Sequence, residues 1–147
     1  MSRPLQEKLS HKPEGKTAVI AVIIRNGRIL LGLRDYINGP TVWTAPGGSV
    51  DQDETLETAA RREAEEETGI TNLEFIDYVG QVKAAYCELL HIFHCSTDDK
   101  PRLAEPDKFR EWIWYPLTDF AAGNLDNYIN EPSREVIVDY LAKNDIL

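Results

Sequence analysis

Long apolar runs are missing from this chain, and so is any excess of positive charge. No stretch of its 147 residues approaches the roughly 20 consecutive apolar positions that a membrane-spanning helix needs. The opening MSRPLQEKLSHKPEGK has no apolar core and does not read as a secretory signal. Residues 1–16 are expected to form a polar arm, and 17–147 a single domain. Basic residues are scarce: 16 Lys and Arg face 25 Asp and Glu, a net charge of −9. So acidic a surface excludes nucleic acid as a partner, because phosphate backbones demand basic patches. It does not exclude a small nucleotide, because bound metal ions invert local charge. Cysteine is nearly absent. Cys87 and Cys95 lie in a segment read as strand, where even spacing puts both on one face, too far apart to bridge. They are expected to be buried thiols of a reducing, cytoplasmic compartment.

What the chain does have is concentrated acidity. Gly48 to Ile70 carries eight acids and two arginines, a net −6 of the total −9. Leu56 to Glu67 reads as a helix, with Asp51 and Asp53 suited to its N-terminal approach. Gly69 suits the left-handed position past its end. At about 100° per residue, Leu56, Ala59 and Ala60 share a face that continues through Glu63, Glu66 and Glu67. Glu57 and Glu65 point elsewhere. Carboxylates three and four apart repel, and partial burial makes this costly unless a cation meets them. Arginine would serve; so would a hard divalent ion such as Mg²⁺.

The rest alternates strands and helices. Thr17 to Arg25 is a near-continuous apolar run suited to a strand buried on both faces. Asn26-Gly27 is a hairpin turn into Arg28 to Leu33. Val42 to Thr44 is a short strand before Pro46-Gly47-Gly48. Glu74 to Ala84, Cys87 to Ser96 and Phe109 to Tyr115 are further strands, and Leu117 to Ala122 is a helical turn. Glu131 to Lys143 is a closing helix with Val136, Ile137, Tyr140 and Leu141 inward and Pro132 in its first turn. His91 and His94 have opposite strand parity and cannot share a metal. This order gives an α/β protein with a mixed sheet between helices.

The acidic segment also obeys a longer spacing: Gly48, five residues, Glu54, seven residues, Arg62-Glu63, then Glu66-Glu67, one residue, Gly69-Ile70. It resembles the Nudix box, G-x5-E-x7-R-E-U-x-E-E-x-G-U. The one departure is Ala64, where a bulky aliphatic is usual. The resemblance covers the chain from Thr17 onward and implies the Nudix α/β/α sandwich. It implies Glu63, Glu66 and Glu67 as helix ligands of Mg²⁺, with Mn²⁺ as a substitute, and the Gly47 carbonyl as a backbone ligand. Glu54 and Arg62 are implied as an ion pair bracing loop against helix. The implied reaction is metal-assisted hydrolysis of a diphosphate linkage.

Outside the box, Glu105 in AEPDKFREW resembles a loop glutamate of MutT-type enzymes, a metal ligand or water-orienting base. Glu63 or Glu66 is the alternative base. Arg34 stands where MutT-like enzymes place a phosphate-binding arginine; the plainer reading is an exposed strand end. EPDKFREWIWYPL resembles the EPEK-x-x-x-W-x-W region of nucleoside triphosphate diphosphatases, which favours a nucleoside triphosphate, oxidised ones included. Trp112 is then a candidate for stacking a base, against the plainer reading that such tryptophans are core. Tyr86 lies near a tyrosine of diadenosine-polyphosphate hydrolases. That substrate, ADP-ribose and nucleotide sugars stay open, as does a nucleotide sensor without turnover, although sensors commonly lose box carboxylates. The family also makes a homodimer an option.

Overall fold

The computed structural model describes residues 3–85 and 87–147, with Glu88 by its backbone only. Tyr86 therefore lies outside the described residues. In chain order the elements are α1 (Arg3–Leu9), β1 (Thr17–Arg25), β2 (Arg28–Asp35), β3 (Thr41–Thr44), β4 (Gly47–Ser49) and α2 (Leu56–Thr68). Then follow β5 (Glu74–Ala84), β6 (Cys87–Ser96), β7 (Phe109–Pro116), α3 (Leu117–Ala121) and α4 (Glu131–Lys143). Among the described residues no helix is long and apolar enough to cross a membrane.

β1 organises the molecule. Its alternation sends Val19, Ala21 and Ile23 to one core, and Ala18, Ile20 and Val22 to the other. Leu56, Ala59, Ala60 and Ala64 of α2 cover the first; Leu117 and Phe120 of α3, with Ile137 and Leu141 of α4, cover the second. The result is a mixed sheet between helical layers. β1 runs parallel to β6 from Thr17 to Ile23 and antiparallel to β4 from Ala18 to Ile20, and meets β2 only at Ile24 and Arg25. β2 pairs with β3 and β7. The strands thus form two wings, β4-β1-β6-β5 and β3-β2-β7, that diverge from the hairpin at Asn26-Gly27. Both turn residues have positive φ, 51° and 73°, as a tight hairpin requires.

The N-terminal segment corrects one expectation. Residues 1–16 are not simply a polar arm: Leu5 and Leu9, one helical turn apart, are 2% and 0% exposed in the core beneath α2. Removing a fully buried leucine loses its transfer energy and leaves a cavity. Leu9→Ala is expected to cost about 2–5 kcal/mol in urea denaturation, against under about 0.5 for exposed Gln6→Ala. Equal midpoints for the two variants would show that α1 does not belong to the fold.

Two further corrections concern local detail. The cap of α2 is Thr55, whose hydroxyl accepts from Thr58 N–H at 3.1 Å, and not Asp51 or Asp53. The two cysteines do not share a face, since Cys95 lies in the α2-side core and Cys87 packs against the α4-side core. The cause is the register shift where Val82 pairs with Leu90 but Ala84 with Cys87: an extra residue in β6 reverses its parity. Both are free thiols. His91 and His94 do take opposite faces, bonding Tyr78 and Tyr140 respectively at 2.8 Å.

Candidate active site

A cleft of about 550 Å³ opens between the two wings. Gly47, Gly48, Glu63 and Glu67 line one wall, from β4 and α2. Arg34, Tyr36, Lys108 and Phe109 line the other, from the ends of β2 and β7.

The first wall depends on close approach of β4 to α2. Gly47 pairs with Ile20 of β1, and a β-carbon there would come within 2.8 Å of the Ile20 Cα. A β-carbon on Gly48 would stand 2.6 Å from Glu63 Oε1. Glycine at both positions lets the strand lie against the carboxylates, and the Gly47 N–H donates to Glu67 Oε1 at 3.0 Å. The buried stripe of α2 runs Leu56, Ala59, Ala60, Ala64, Glu67 and Thr68. Glu67 is therefore only 4% exposed, Glu63 has a side chain 14% exposed, and Glu66 leans out at 48%. The helix ends at Gly69, with φ of 74° and its N–H bonded to the Glu65 carbonyl.

Arg62 ties the loop to the helix. It holds both Glu54 oxygens at 2.9 Å, the Ser49 carbonyl at 3.0 Å and Glu63 at 3.0 Å, and reaches Glu66 at 3.4 Å. Its hydrogen bonds hold the Glu54 carboxyl below the ordinary range. Glu63 and Glu67 move the other way. Burial raises Glu63 against the pull of Arg62, with Glu66 and Glu105 adding repulsion. Burial raises Glu67 further, against the Gly47 N–H, with Glu63 and Glu105 again adding. Glu105 thus lies near enough to be felt by both, although its own carboxylate bonds Lys108 at 3.3 Å.

This wall is short of cations. Arg62 is engaged by Glu54, and Glu67 has a backbone N–H for a hydrogen-bond partner. Carboxylate oxygens lacking a counter-charge are the donors that Mg²⁺ and Mn²⁺ take. By donor chemistry and by charge the residues fit a hard divalent ion. Among the described residues no three acid, histidine or cysteine side chains already converge as a ligand cage. Glu63 and Glu67 face the cleft together, while Glu66 is turned to Arg62.

On the opposite wall the Arg34 guanidinium lies 4.7 Å from the Tyr36 ring centroid and 5.3 Å from that of Phe109. Its Nε is buried without a hydrogen-bond partner. The loop after β2 is fastened by Asp35, which accepts from Thr41 Oγ1 at 2.8 Å and Arg110 Nε at 2.7 Å. Trp112 does not line the cleft. It packs on Phe109, with ring centroids 4.6 Å apart, and over Gly32, where a β-carbon would meet its ring at 2.7 Å. Trp112 and Trp114 both pack against the α2-side core. Tyr36, Lys108 and Phe109 were not named as site residues from the sequence, although Lys108 fills the lysine of the EPEK-like run and stands three positions after Glu105.

Residues 15–139 match the family model of the NUDIX domain. The chain is 31% identical over 146 residues to an oxidized purine nucleoside triphosphate hydrolase of Danio rerio, covering 85% of this chain and 92% of that protein. It is 39% identical over 69 residues to an RNA pyrophosphohydrolase of Caulobacter vibrioides, covering 47% of this chain and 40% of the relative. Its fold matches the crystal structure of a MutT protein from Methanosarcina mazei with a TM-score of 0.73 and 26% identity, covering 87% of this chain and 94% of the other.

Proposed function

This chain belongs to the Nudix family of pyrophosphohydrolases acting on phosphorus-containing anhydrides, and from that premise we propose that its substrate is a nucleoside triphosphate, oxidised purine forms included, hydrolysed to the monophosphate and pyrophosphate. The observation that carries this reading is the two-walled cleft, acidic on α2 and cationic with aromatic rings at the ends of β2 and β7. Likeness along 92% of the oxidized purine nucleoside triphosphate hydrolase supports it, whereas likeness to the RNA enzyme spans under half of either chain.

Bound Mg²⁺ or Mn²⁺ would supply Lewis-acid charge to the phosphate oxygens and make a bound water acidic enough to attack. Glu63, Glu66 and Glu67, with the Gly47 carbonyl, would hold the ions. Arg34 opposes them and offers its Nε to a phosphate oxygen, with the guanidinium plane set by its aromatic neighbours. Glu105, Glu63 or Glu66 would take the proton of the attacking water, provided its oxygen comes within about 3 Å. The Glu54–Arg62 pair, with the Arg62 bond to the Ser49 carbonyl, holds the end of β4 and the loop after it to α2, and so keeps the Glu63 carboxylate in place.

The test is a panel of canonical and oxidised nucleoside triphosphates, diadenosine polyphosphates, ADP-ribose and nucleotide sugars, with Mg²⁺ and products identified by mass. A triphosphate should be cleaved fastest, to monophosphate and pyrophosphate, and chelation should stop turnover. Faster cleavage of ADP-ribose or a dinucleotide overturns the substrate while leaving the chemistry. No cleavage of any member, with Glu66→Gln changing nothing, would overturn the enzyme reading and favour a nucleotide sensor.

A further inference from the structure

We propose that Lys108 binds the substrate's phosphate chain, exchanging its bond to Glu105 for one to a phosphate oxygen. The inference rests on the diphosphate-hydrolase reading of the cleft. Among the described residues Arg34 and Lys108 are the two cations lining that cleft, and they are built differently. Arg34 is hemmed in by Tyr36 and Phe109, so its charge stays where it is. The Lys108 backbone is equally fixed: its N–H donates to the Glu105 carbonyl at 2.9 Å, and its carbonyl accepts from Asp35 N–H at 2.8 Å, one residue beyond Arg34. Its side chain is not fixed. It is 46% exposed, and among the described residues its ammonium makes one ion pair, 3.3 Å from Glu105 Oε2.

An exposed, long lysine–glutamate pair is weakly held and readily exchanged. A polyphosphate entering between the walls brings several negative charges beside that ammonium, and charge-assisted bonds to phosphate are stronger. The exchange has a second effect. When Lys108 turns to phosphate, the Glu105 carboxylate loses its cation while it still repels the charges of Glu63 and Glu67. The lysine therefore ties phosphate arrival to release of the Glu105 Oε2 atom.

Calorimetric binding of inorganic triphosphate and pyrophosphate, with Mg²⁺ in the buffer, tests the lysine without any choice of nucleobase. Lys108→Met is expected to weaken triphosphate binding by about tenfold, with Lys108→Arg within about threefold of the parent. The same Met variant should raise KM for the best nucleotide by a similar factor. Lys100→Met, at an exposed lysine earlier in the same β6–β7 loop, controls for general loss of charge. Thermal melts of the Lys108 variants should match the parent. Equal triphosphate binding by parent and Lys108→Met overturns the proposal, as does equal weakening by Lys100→Met. If no nucleotide is cleaved, the hydrolase reading fails, and the binding comparison still decides the lysine.

Discussion

Glu67→Gln is expected to abolish turnover and, in the same molecule, to raise the melting temperature of the metal-free protein. Both effects come from one buried carboxylate. Glu67 is 4% exposed, accepts the Gly47 N–H and lies near enough to Glu63 and Glu105 to be repelled by both. Burial of its charge outweighs the attraction of Arg34, so ionised it costs the fold; glutamine keeps the acceptor and the shape but not the charge. Burial raises its pKa well above the ordinary 4.5. A carboxyl raised in the folded state favours folding most below the unfolded value, and that contribution fades as pH climbs through the raised one. The metal-free parent should therefore lose stability from about pH 4.5 upward more steeply than the variant. At pH 7.5 the variant should melt higher by roughly 3–6 °C. Added Mg²⁺ should raise the parent's melting temperature and leave the variant's nearly unchanged. Its kcat/KM should fall by about 10²–10³-fold or more, the scale of removing a group that organises transition-state charge. A variant that melts below the metal-free parent and retains turnover would refute this account of Glu67.

Arg62→Met should be the most damaging change to the architecture of the site. One guanidinium satisfies both oxygens of Glu54, the Ser49 carbonyl and one oxygen of Glu63. The side chains of Glu54 and Glu63 are 13% and 14% exposed, so its loss strands two nearly buried carboxylates. Breaking a buried pair from one side costs about 3–5 kcal/mol, and the 27% exposure of Arg62 places this variant near the lower end. Urea denaturation reads that loss, and kcat should fall by about 10–100-fold as Glu63 loses its anchor. Arg62→Lys should recover little, because a point charge cannot hold two oxygens and a carbonyl in one plane. A lysine variant equal to the parent in stability and turnover would show that charge alone matters there.

The parts legible in the sequence are those whose signal is periodic or locally spaced. The uninterrupted aliphatics of β1, the helical stripe of α2 and the capped, proline-led start of α4 each state their structure within a dozen residues. What was missed depends on partners far along the chain. Gly47–Ser49 has little strand propensity and becomes β4 because β1 pairs with it. Leu5 and Leu9 are two apolar residues in a polar segment, and only a core waiting for them makes α1 a helix. The parity of β6 fails at a bulge that no composition marks.

The candidate site divides in the same way. Its acidic wall comes from one continuous segment whose spacing could be read directly. Its cationic wall comes from residues near 34 and near 108, brought together by the β2–β7 pairing of Arg34 with Phe109. Trp112 illustrates the limit: strand parity put it beside Trp114, but only the missing side chain at Gly32 explains why its ring lies flat over β2.

The parallel pairing of β1 with β6 also sets a timetable for the chain as it is made. Thr17 finds its partner at Leu89, 72 positions later. At synthesis rates of about 5–20 residues per second, β1 waits roughly 4–14 seconds for that neighbour to emerge. Throughout the wait, TAVIAVIIR from Ala18 to Ile24 is an uncharged aliphatic run with an open edge, the sort of segment that associates with copies of itself. Its earliest partner is the hairpin strand β2, available almost at once but joined to it only at Ile24 and Arg25. The strand that later holds both cores together is therefore an aggregation-prone stretch of the nascent chain until β6 emerges.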